Sequence, residues 1–159
     1  MYTYYYNTDQ FLPIDINKAW KFFSEAKNLA LITPPEMDFK ILTSLTDKAI
    51  YEGMLINYRV KPLFHIPLYW QTEICKVQYP LFFTDRQLKG PYKLWEHTHT
   101  FVEKDNGVLM KDVVKYQLPF GIIGKLVHSL IVQKKIENIF IYRKNVLNKI
   151  FNTHAKNNN

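Results

Sequence analysis

Two histidines on alternate positions of one short segment are the residues of this sequence best suited to chemistry. Trp95, His97, His99 and Phe101 occupy every second position between a Gly-Pro turn signal and an Asn-Gly turn signal. Alternate residues of a β-strand share one face. The segment therefore predicts a strand face that carries two imidazoles between two large aromatic rings, a mixture typical of the wall of an internal ligand cavity.

The imidazole titrates nearer to neutral pH than other side chains, so His97 and His99 are candidate acid–base groups. Asp112 or Tyr116, on the following predicted strand, could orient them. The pair could also bind a metal ion with a third ligand from Asp112 or Glu73, but the spacing alone is a weak indication of a metal. We predict neither a metal nor a cofactor and assign no catalytic residue. The simplest alternative is that both rings form hydrogen bonds with buried neighbours or water.

Arg86 lies on the predicted strand before the histidines, and the pattern does not settle which face of that strand points inward. One set of inward residues would include Phe83 and Asp85, and the other would include Arg86. A buried guanidinium needs a carboxylate or an anionic ligand, so an inward Arg86 would favour a carboxylate-bearing ligand. The alternatives are an ion pair with Asp112 or Glu73, or exposure on the outer face.

On the strand after the histidines, one set of alternate residues is more apolar than the other, so we expect that set to face inward. Its members are Val108, Met110, Asp112, Val114 and Tyr116. The residues that we predict to contact a ligand combine these inner faces with a further aromatic ring; they are Trp70, Arg86, Trp95, His97, His99, Phe101, Asp112 and Tyr116.

The rest of the pattern provides the elements that position these residues. An aromatic first strand ends at Pro13, Asp15 is a suitable N-cap for a helix over residues 17–26, and a second short helix ends before Pro34. Strands are then predicted at 39–42, 54–60, 68–77, 81–88, 92–102 and 108–117. Their short connections favour an antiparallel meander. Residues 122–151 are free of proline and predict one long final helix with an apolar face.

The composition restricts the class of protein. The 159 residues suffice for one domain, which we place at residues 1–151, followed by a tail at 152–159 that we expect to be disordered. Cys75 is the single cysteine, which rules out an internal disulfide and agrees with a reducing compartment. Since no targeting or membrane-spanning segment is recognisable, we predict a soluble cytoplasmic protein.

The net charge is +7, and much of the excess falls on the final helix. Its cations, among them Lys135 and Arg143, have the scatter of a solvated helix face, so we predict no nucleic-acid partner. An apolar tip with a basic flank at residues 120–125 allows membrane contact. Gating of the cavity or packing on the sheet is the simpler expectation for that tip.

Several segments together carry a resemblance to a known superfamily. They are Leu31-Ile32-Thr33-Pro34-Pro35, Asp85-Arg86-Gln87 with Gly90-Pro91-Tyr92, residues 95–101, and Leu118-Pro119-Phe120-Gly121. Over residues 2–150 the chain resembles the START-like, or SRPBCC, superfamily. Within it, the chain looks most like the small bacterial ligand-binding SRPBCC domain proteins of the polyketide cyclase/dehydrase-like group, sometimes described as relatives of a cell-division inhibitor.

The resemblance implies an α+β helix-grip fold: a strongly curved antiparallel sheet wrapped around a long C-terminal helix, with two short helices after the first strand. Superfamily members carry hydrophobic ligands, cyclise polyketides, or hydroxylate substrates as parts of larger enzymes, so the fold does not choose a function. We predict a monomer or weak dimer that binds a small hydrophobic or amphipathic molecule between the sheet and the helix. The alternative is a polyketide cyclase- or dehydratase-like enzyme that uses His97 or His99 with Asp112 as acid and base.

Overall fold

The computed structural model describes residues 2–44, 49–62, 66–119, 121 and 131–155, without the side chains of residues 153–155. Its strands are β1 (Tyr4–Leu12), β2 (Lys40–Ile41), β3 (Leu55–Val60), β4 (Leu68–Gln78), β5 (Phe82–Lys89), β6 (Leu94–Lys104) and β7 (Gly107–Gln117). Its helices are α1 (Ile16–Ser24), α2 (Lys27–Leu31) and α3 (Gln133–Ala155), and a single 3-10 turn spans Pro35–Met37.

The strands form one antiparallel sheet with the order β1-β7-β6-β5-β4-β3-β2. Each strand from β2 to β7 pairs with its sequence neighbour, and β1 closes the far edge against β7. The predicted meander is confirmed. At the β6–β7 hairpin Lys104 pairs with Gly107, and Asn106 adopts a positive φ of 64°, a conformation that asparagine tolerates better than most residues. The turn therefore fixes the register between β6 and β7.

Helix α1 begins where the sequence predicts. The Asp15 side chain accepts a hydrogen bond of 2.9 Å from the Lys18 backbone N–H, which satisfies one of the free donors at the helix start. The buried face of α1 includes Ala19 and Trp20, and the Trp20 ring meets Phe83 and Phe101 edge-on. Helix α1 thus covers one end of the sheet with an aromatic cluster.

Helix α3 turns one face towards the sheet. The buried residues on that face follow helical spacing and are Ile136, Phe140, Arg143, Leu147 and Phe151. The Gln10 side-chain amide donates to the Lys144 carbonyl at 3.0 Å and to Asn148 Oδ1 at 2.9 Å, which ties the helix to β1. The apolar face predicted for this helix is confirmed over its described length.

Some predicted features cannot be compared with the described residues. The first part of the predicted helix at 122–130 lies outside them, as do Phe120, Ile122, Ile123 and Lys125 of the apolar tip and the tail from residue 156. Helix α3 continues to Ala155, four residues past its predicted end at 151. None of the described helices is both long enough and apolar enough to cross a membrane.

The predicted inner faces of β6 and β7 are confirmed. On β7, all five members of the apolar set that contains Asp112 are buried, and on β6 His97, His99 and Phe101 are buried. The core extends from Leu12 and Val108 at one end of the sheet, under α1, to Tyr116 at the other. The two histidines therefore lie in the interior, between two aromatic clusters.

Candidate functional site

The register of three neighbouring strands brings four ionisable side chains together. Asp85 on β5 pairs directly with His97 on β6, and His99 on β6 pairs directly with Asp112 on β7. All four side chains point to the inner face of the sheet, which also settles the orientation of β5: Phe83 and Asp85 face inward. We call these four residues the histidine–aspartate cluster.

Asp112 lies behind the two imidazoles and contacts both. Its Oδ1 atom forms a hydrogen bond of 2.8 Å with His97 Nε2 and lies 2.8 Å from His99 Nδ1, in the second case outside hydrogen-bond geometry. Asp85 lies on the opposite side of the rings, with Oδ2 at 3.7 Å from His97 Nδ1 and 3.5 Å from His99 Nε2. Each imidazole is thus placed between two carboxylates.

The surroundings shift the pKa values of the two histidines in opposite directions. Burial lowers the pKa of His97, and charge on His99 lowers it further. Burial also opposes charge on His99, but the Asp112 and Asp85 carboxylates outweigh it and raise the pKa of His99. Burial disfavours the Asp112 carboxylate as well, yet the two imidazoles hold the pKa of Asp112 well below its usual range. We therefore expect the two imidazoles to carry at most one positive charge between them, on His99, beside an ionised Asp112.

Arg143 extends the cluster from helix α3. Its side chain is 8% exposed, and Nη1 lies 3.6 Å from Asp112 Oδ1. The guanidinium lies over the Phe140 ring, 4.9 Å from the centroid, at a distance that allows a cation–π interaction. Its Nε and Nη1 atoms are buried and have no hydrogen-bond partner among the described residues. Burying such donors without partners is unfavourable, so a hydrogen-bond acceptor placed beside them would be stabilised.

The cluster opens into a cavity between the sheet and helix α3. The cavity has a volume of about 190 Å³, and its lining is mostly apolar and aromatic. Its polar lining residues are Glu25, Asn28, Thr33, Thr72, Asp85, His97, His99, Lys135 and Arg143. The apolar lining includes Phe22, Phe23, Ile56, Tyr58, Val60, Trp70, Phe83, Tyr92, Trp95, Ile136, Ile139 and Phe140. This combination provides an apolar compartment with a charged group of side chains in one wall.

Five of the eight predicted ligand-contact residues lie at the cavity or directly behind it. Trp70, Trp95, His97 and His99 line the cavity. Asp112 does not line it but contacts both histidines from behind, so its position is that of a supporting residue. Four of the predicted contacts are therefore at the cavity surface and a fifth acts through them.

Three of the residues predicted to contact a ligand do not line the cavity. Phe101 is 1% exposed and packs against Trp20, Phe23 and Phe83 instead of lining the cavity, because α1 covers that end of the sheet. Tyr116 also lies behind the lining, against the Trp95 ring, and burial raises the pKa of its hydroxyl to about 12.

Arg86 faces outward. Because the side chains of a strand alternate, the inward orientation of Asp85 sends Arg86 to the outer face, where Nη2 lies 2.9 Å from Glu73 Oε2. The alternative that paired Arg86 with Glu73 is therefore the one that the structure contains. The same contact places Glu73, a suggested metal ligand, away from the histidines.

Two charged residues beside the histidines, Asp85 and Arg143, were not predicted as ligand contacts. Asp85 belonged to one of two orientations that the sequence left open. Arg143 was grouped with the solvated cations of the final helix, but it follows Ile136 and Phe140 by seven and three residues and precedes Leu147 by four. That spacing puts it on the apolar face, and it is the signal by which an inward Arg143 could have been recognised.

The geometry permits two kinds of chemistry. His97, hydrogen-bonded to Asp112 and open to the cavity through its other nitrogen, has the arrangement of an oriented acid–base group. The nitrogens of both rings that face away from Asp112 also have free lone pairs when the opposite nitrogens carry the protons. Those lone pairs can accept a proton, a donor group or a metal ion.

The curved antiparallel sheet, the two short helices after β1 and the long final helix define the START-like helix-grip fold, and solved structures share it. A point mutant of norcoclaurine synthase from Thalictrum flavum, in complex with a transition-state analogue, has a TM-score of 0.68 at 14% identity, with 97% of each chain covered. Protein Ms6760 from Mycobacterium smegmatis has a TM-score of 0.64 at 14% identity, with 92% of each chain covered.

Ginseng major latex-like protein 151 from Panax ginseng has a TM-score of 0.63 at 9% identity, covering 94% of this chain and 97% of that one. At these identities the likeness establishes the fold alone. No protein-family model matches the sequence, and no curated protein matches it. The functional argument therefore depends on the cavity and its side chains.

Proposed function

We propose that the protein binds a small amphipathic molecule in the cavity, with the apolar body of the ligand against the aromatic wall and its polar end at the histidine–aspartate cluster and Arg143. The observation that carries the proposal is the Arg143 guanidinium, whose buried Nε and Nη1 atoms have no hydrogen-bond partner among the described residues and which lines a mostly apolar cavity. Apolar burial would supply most of the affinity, and the few convergent polar groups would set the orientation of the ligand.

The size of the cavity limits the ligand. A cavity of about 150 Å³ is large enough to hold benzene, so a volume of about 190 Å³ suits a molecule of one or two rings or a short branched chain. The aromatic rings of Trp70 and Trp95 line the wall, and their indoles meet edge-on with centroids 5.5 Å apart. A flat ring system can stack on such a wall. We therefore take 2-naphthoate, with two fused rings and one carboxylate, as the probe.

Filling the cavity is expected to prevent binding. Ile56 on β3 lines the cavity, whereas its neighbour Leu55 is 44% exposed on the outer face. We expect the wild-type protein to bind 2-naphthoate at one site and Ile56→Trp to weaken that binding by about tenfold or more, because the larger side chain occupies the space of the ligand. Leu55→Trp is the matched control and should bind like the wild type. Isothermal titration calorimetry measures all three.

A second pair of variants, on α3, is included because Ile56→Trp could weaken binding by unfolding the protein. Ile139 lines the cavity, and Ile141, two residues further on, is 56% exposed. Ile139→Trp should weaken the binding of 2-naphthoate, and Ile141→Trp should leave it unchanged, with circular dichroism confirming that both variants are folded. Binding that survives both cavity substitutions would place the probe elsewhere, and failure of the wild-type protein to bind would contradict the proposal.

The polar end of the ligand can be tested separately. Arg143→Met removes the guanidinium while keeping an apolar stem. We expect it to weaken the binding of 2-naphthoate by about tenfold or more, because a hydrogen bond to a charged group contributes about 1.5–3 kcal/mol. Binding of uncharged naphthalene should change little. Arg86→Met removes an outer-face guanidinium and serves as the matched control. Equal losses for 2-naphthoate and naphthalene in Arg143→Met would show that Arg143 does not contact the carboxylate.

A further inference from the structure

Three donor atoms of the histidine–aspartate cluster converge on one point in the cavity wall. They are Asp85 Oδ2, His97 Nδ1 and His99 Nε2, and they lie within 4.8 Å of one another. The carboxylate oxygen is 3.7 Å from the first nitrogen and 3.5 Å from the second. Ligand atoms that share a metal ion at bond lengths of about 2.0–2.2 Å lie about 3–3.5 Å apart, so small side-chain movements suffice to close the set.

We propose that Asp85, His97 and His99 form a binding site for one divalent transition-metal ion, with Zn²⁺ as the first candidate. Two imidazole nitrogens and one carboxylate oxygen make a mixed donor set that suits first-row transition metals, whereas Ca²⁺ and Mg²⁺ favour oxygen ligands throughout. Three protein ligands on one side of the ion leave a further position open. All three residues line the cavity, so that position faces it.

Asp112 occupies the place of a supporting carboxylate. Its Oδ1 atom contacts His97 Nε2 and His99 Nδ1, the ring nitrogens opposite the proposed donors. A metal-bound imidazole commonly donates its other N–H to such a carboxylate, which fixes the tautomer and the direction of the lone pair. Here Asp112 Oδ1 holds the His97 ring by a hydrogen bond and lies 2.8 Å from His99 Nδ1, where a small rotation of the ring would be needed to form the second bond. The sequence suggested Asp112 or Glu73 as the third ligand. In the structure Asp85 lies on the side of the proposed donor atoms, and Asp112 lies on the opposite side of the rings.

The sheet holds the donors before any ion arrives. The three ligands come from the adjacent strands β5 and β6, and the supporting carboxylate comes from β7. Direct strand pairs join Asp85 to His97 and His99 to Asp112. Metal ligands supported by rigid elements and by packed neighbours need little rearrangement to bind.

The surrounding charges favour an anionic oxygen at the open position. The Asp85 and Asp112 carboxylates together balance a divalent ion, and Arg143 adds a positive charge 3.6 Å from Asp112. A hydroxide or the anionic end of a cavity ligand would complete the coordination. The metal site itself does not depend on that ligand, because its three protein donors are present without one.

The test uses Zn²⁺ alone and no cavity ligand, so its result is independent of the proposed function. The protein is stripped of metal with a chelator and titrated with Zn²⁺ by calorimetry. We expect one bound ion. Loss of a supporting residue typically lowers metal affinity by about 10–100-fold. We expect Asp85→Asn and His99→Gln, which each remove a direct ligand, to lower the Zn²⁺ affinity by more than that. Circular dichroism shows whether each variant is folded.

The remaining histidines provide the matched control. The sequence has five, and His65, His128 and His154 are not part of the proposed donor set. A variant with these three changed to glutamine should keep the site.

Co²⁺ gives a readout that needs no variant, since a nitrogen- and oxygen-ligated ion in a four-coordinate site produces strong visible absorption. The proposal is overturned if the wild-type protein binds no Zn²⁺, if binding persists in Asp85→Asn and His99→Gln, or if the triple variant loses it.

Discussion

Asp112→Asn is expected to lower the free energy of unfolding of the metal-free protein by about 3–5 kcal/mol, the usual effect of removing one partner from a buried charged pair. Asp112 is 6% exposed and faces His97, His99 and Arg143. The amide keeps the shape of the carboxylate but removes the negative charge that stabilises a protonated His99 and the Arg143 guanidinium. Urea denaturation followed by circular dichroism measures the loss.

The outer face of the sheet supplies the control for this prediction. Glu73→Gln removes the carboxylate partner of Arg86 in a solvent-exposed pair, and it should change the free energy of unfolding by about 0–1 kcal/mol. Combining Asp112→Asn with Arg143→Met should recover part of the loss, because the guanidinium is then no longer buried without a counter-charge. An Asp112→Asn protein as stable as Glu73→Gln would contradict the electrostatic role given to Asp112.

Phe101→Ala is expected to lower the free energy of unfolding by about 3–5 kcal/mol, the usual effect of truncating a buried phenylalanine. Phe101 is 1% exposed, and its ring packs against those of Trp20 and Phe23, with centroids 5.9 and 5.5 Å away. The loss combines apolar contacts with a cavity that the packed aromatic cluster cannot close. Thermal and urea denaturation would measure it.

The comparison that separates core from ligand site uses a milder substitution. Phe101→Leu should remain folded at 25 °C and bind 2-naphthoate as the wild type does, because Phe101 does not line the cavity. Tyr5→Ala removes an aromatic ring that is 62% exposed and should change stability by less than about 0.5 kcal/mol. A loss of 2-naphthoate affinity in a stable Phe101→Leu protein would show that Phe101 does contribute to the ligand site.

The polar interior of this fold is expensive to maintain. Desolvation disfavours the charged forms of His97, His99 and Asp112, and two buried donors of Arg143 have no hydrogen-bond partner within the described part of the chain. Well-packed apolar residues of similar volume in these places would be expected to match or exceed the stability of the charged group. Local features that oppose stability are commonly found at functional sites. The cluster is therefore the part of the molecule where binding and chemistry are best sought.

The sequence by itself determined the features that follow from short-range rules. Strand alternation placed His97 and His99 on one inner face, turn residues predicted the β6–β7 hairpin, and Asp15 marked the start of α1. Each depends on the φ and ψ preferences or the side-chain period of a few consecutive residues. Local chemistry is enough to fix such features.

The tertiary structure decided which residues meet. Both faces of β5 mix apolar and charged residues, so only the pairing with β4 and β6 shows that Asp85 joins the histidines and that Arg86 joins Glu73. Phe101 has the same inward register as His97 but lies beneath α1, and Arg143 reaches the cluster across 31 residues of chain from Asp112. These contacts depend on how elements distant in sequence pack together, and no local period encodes that packing.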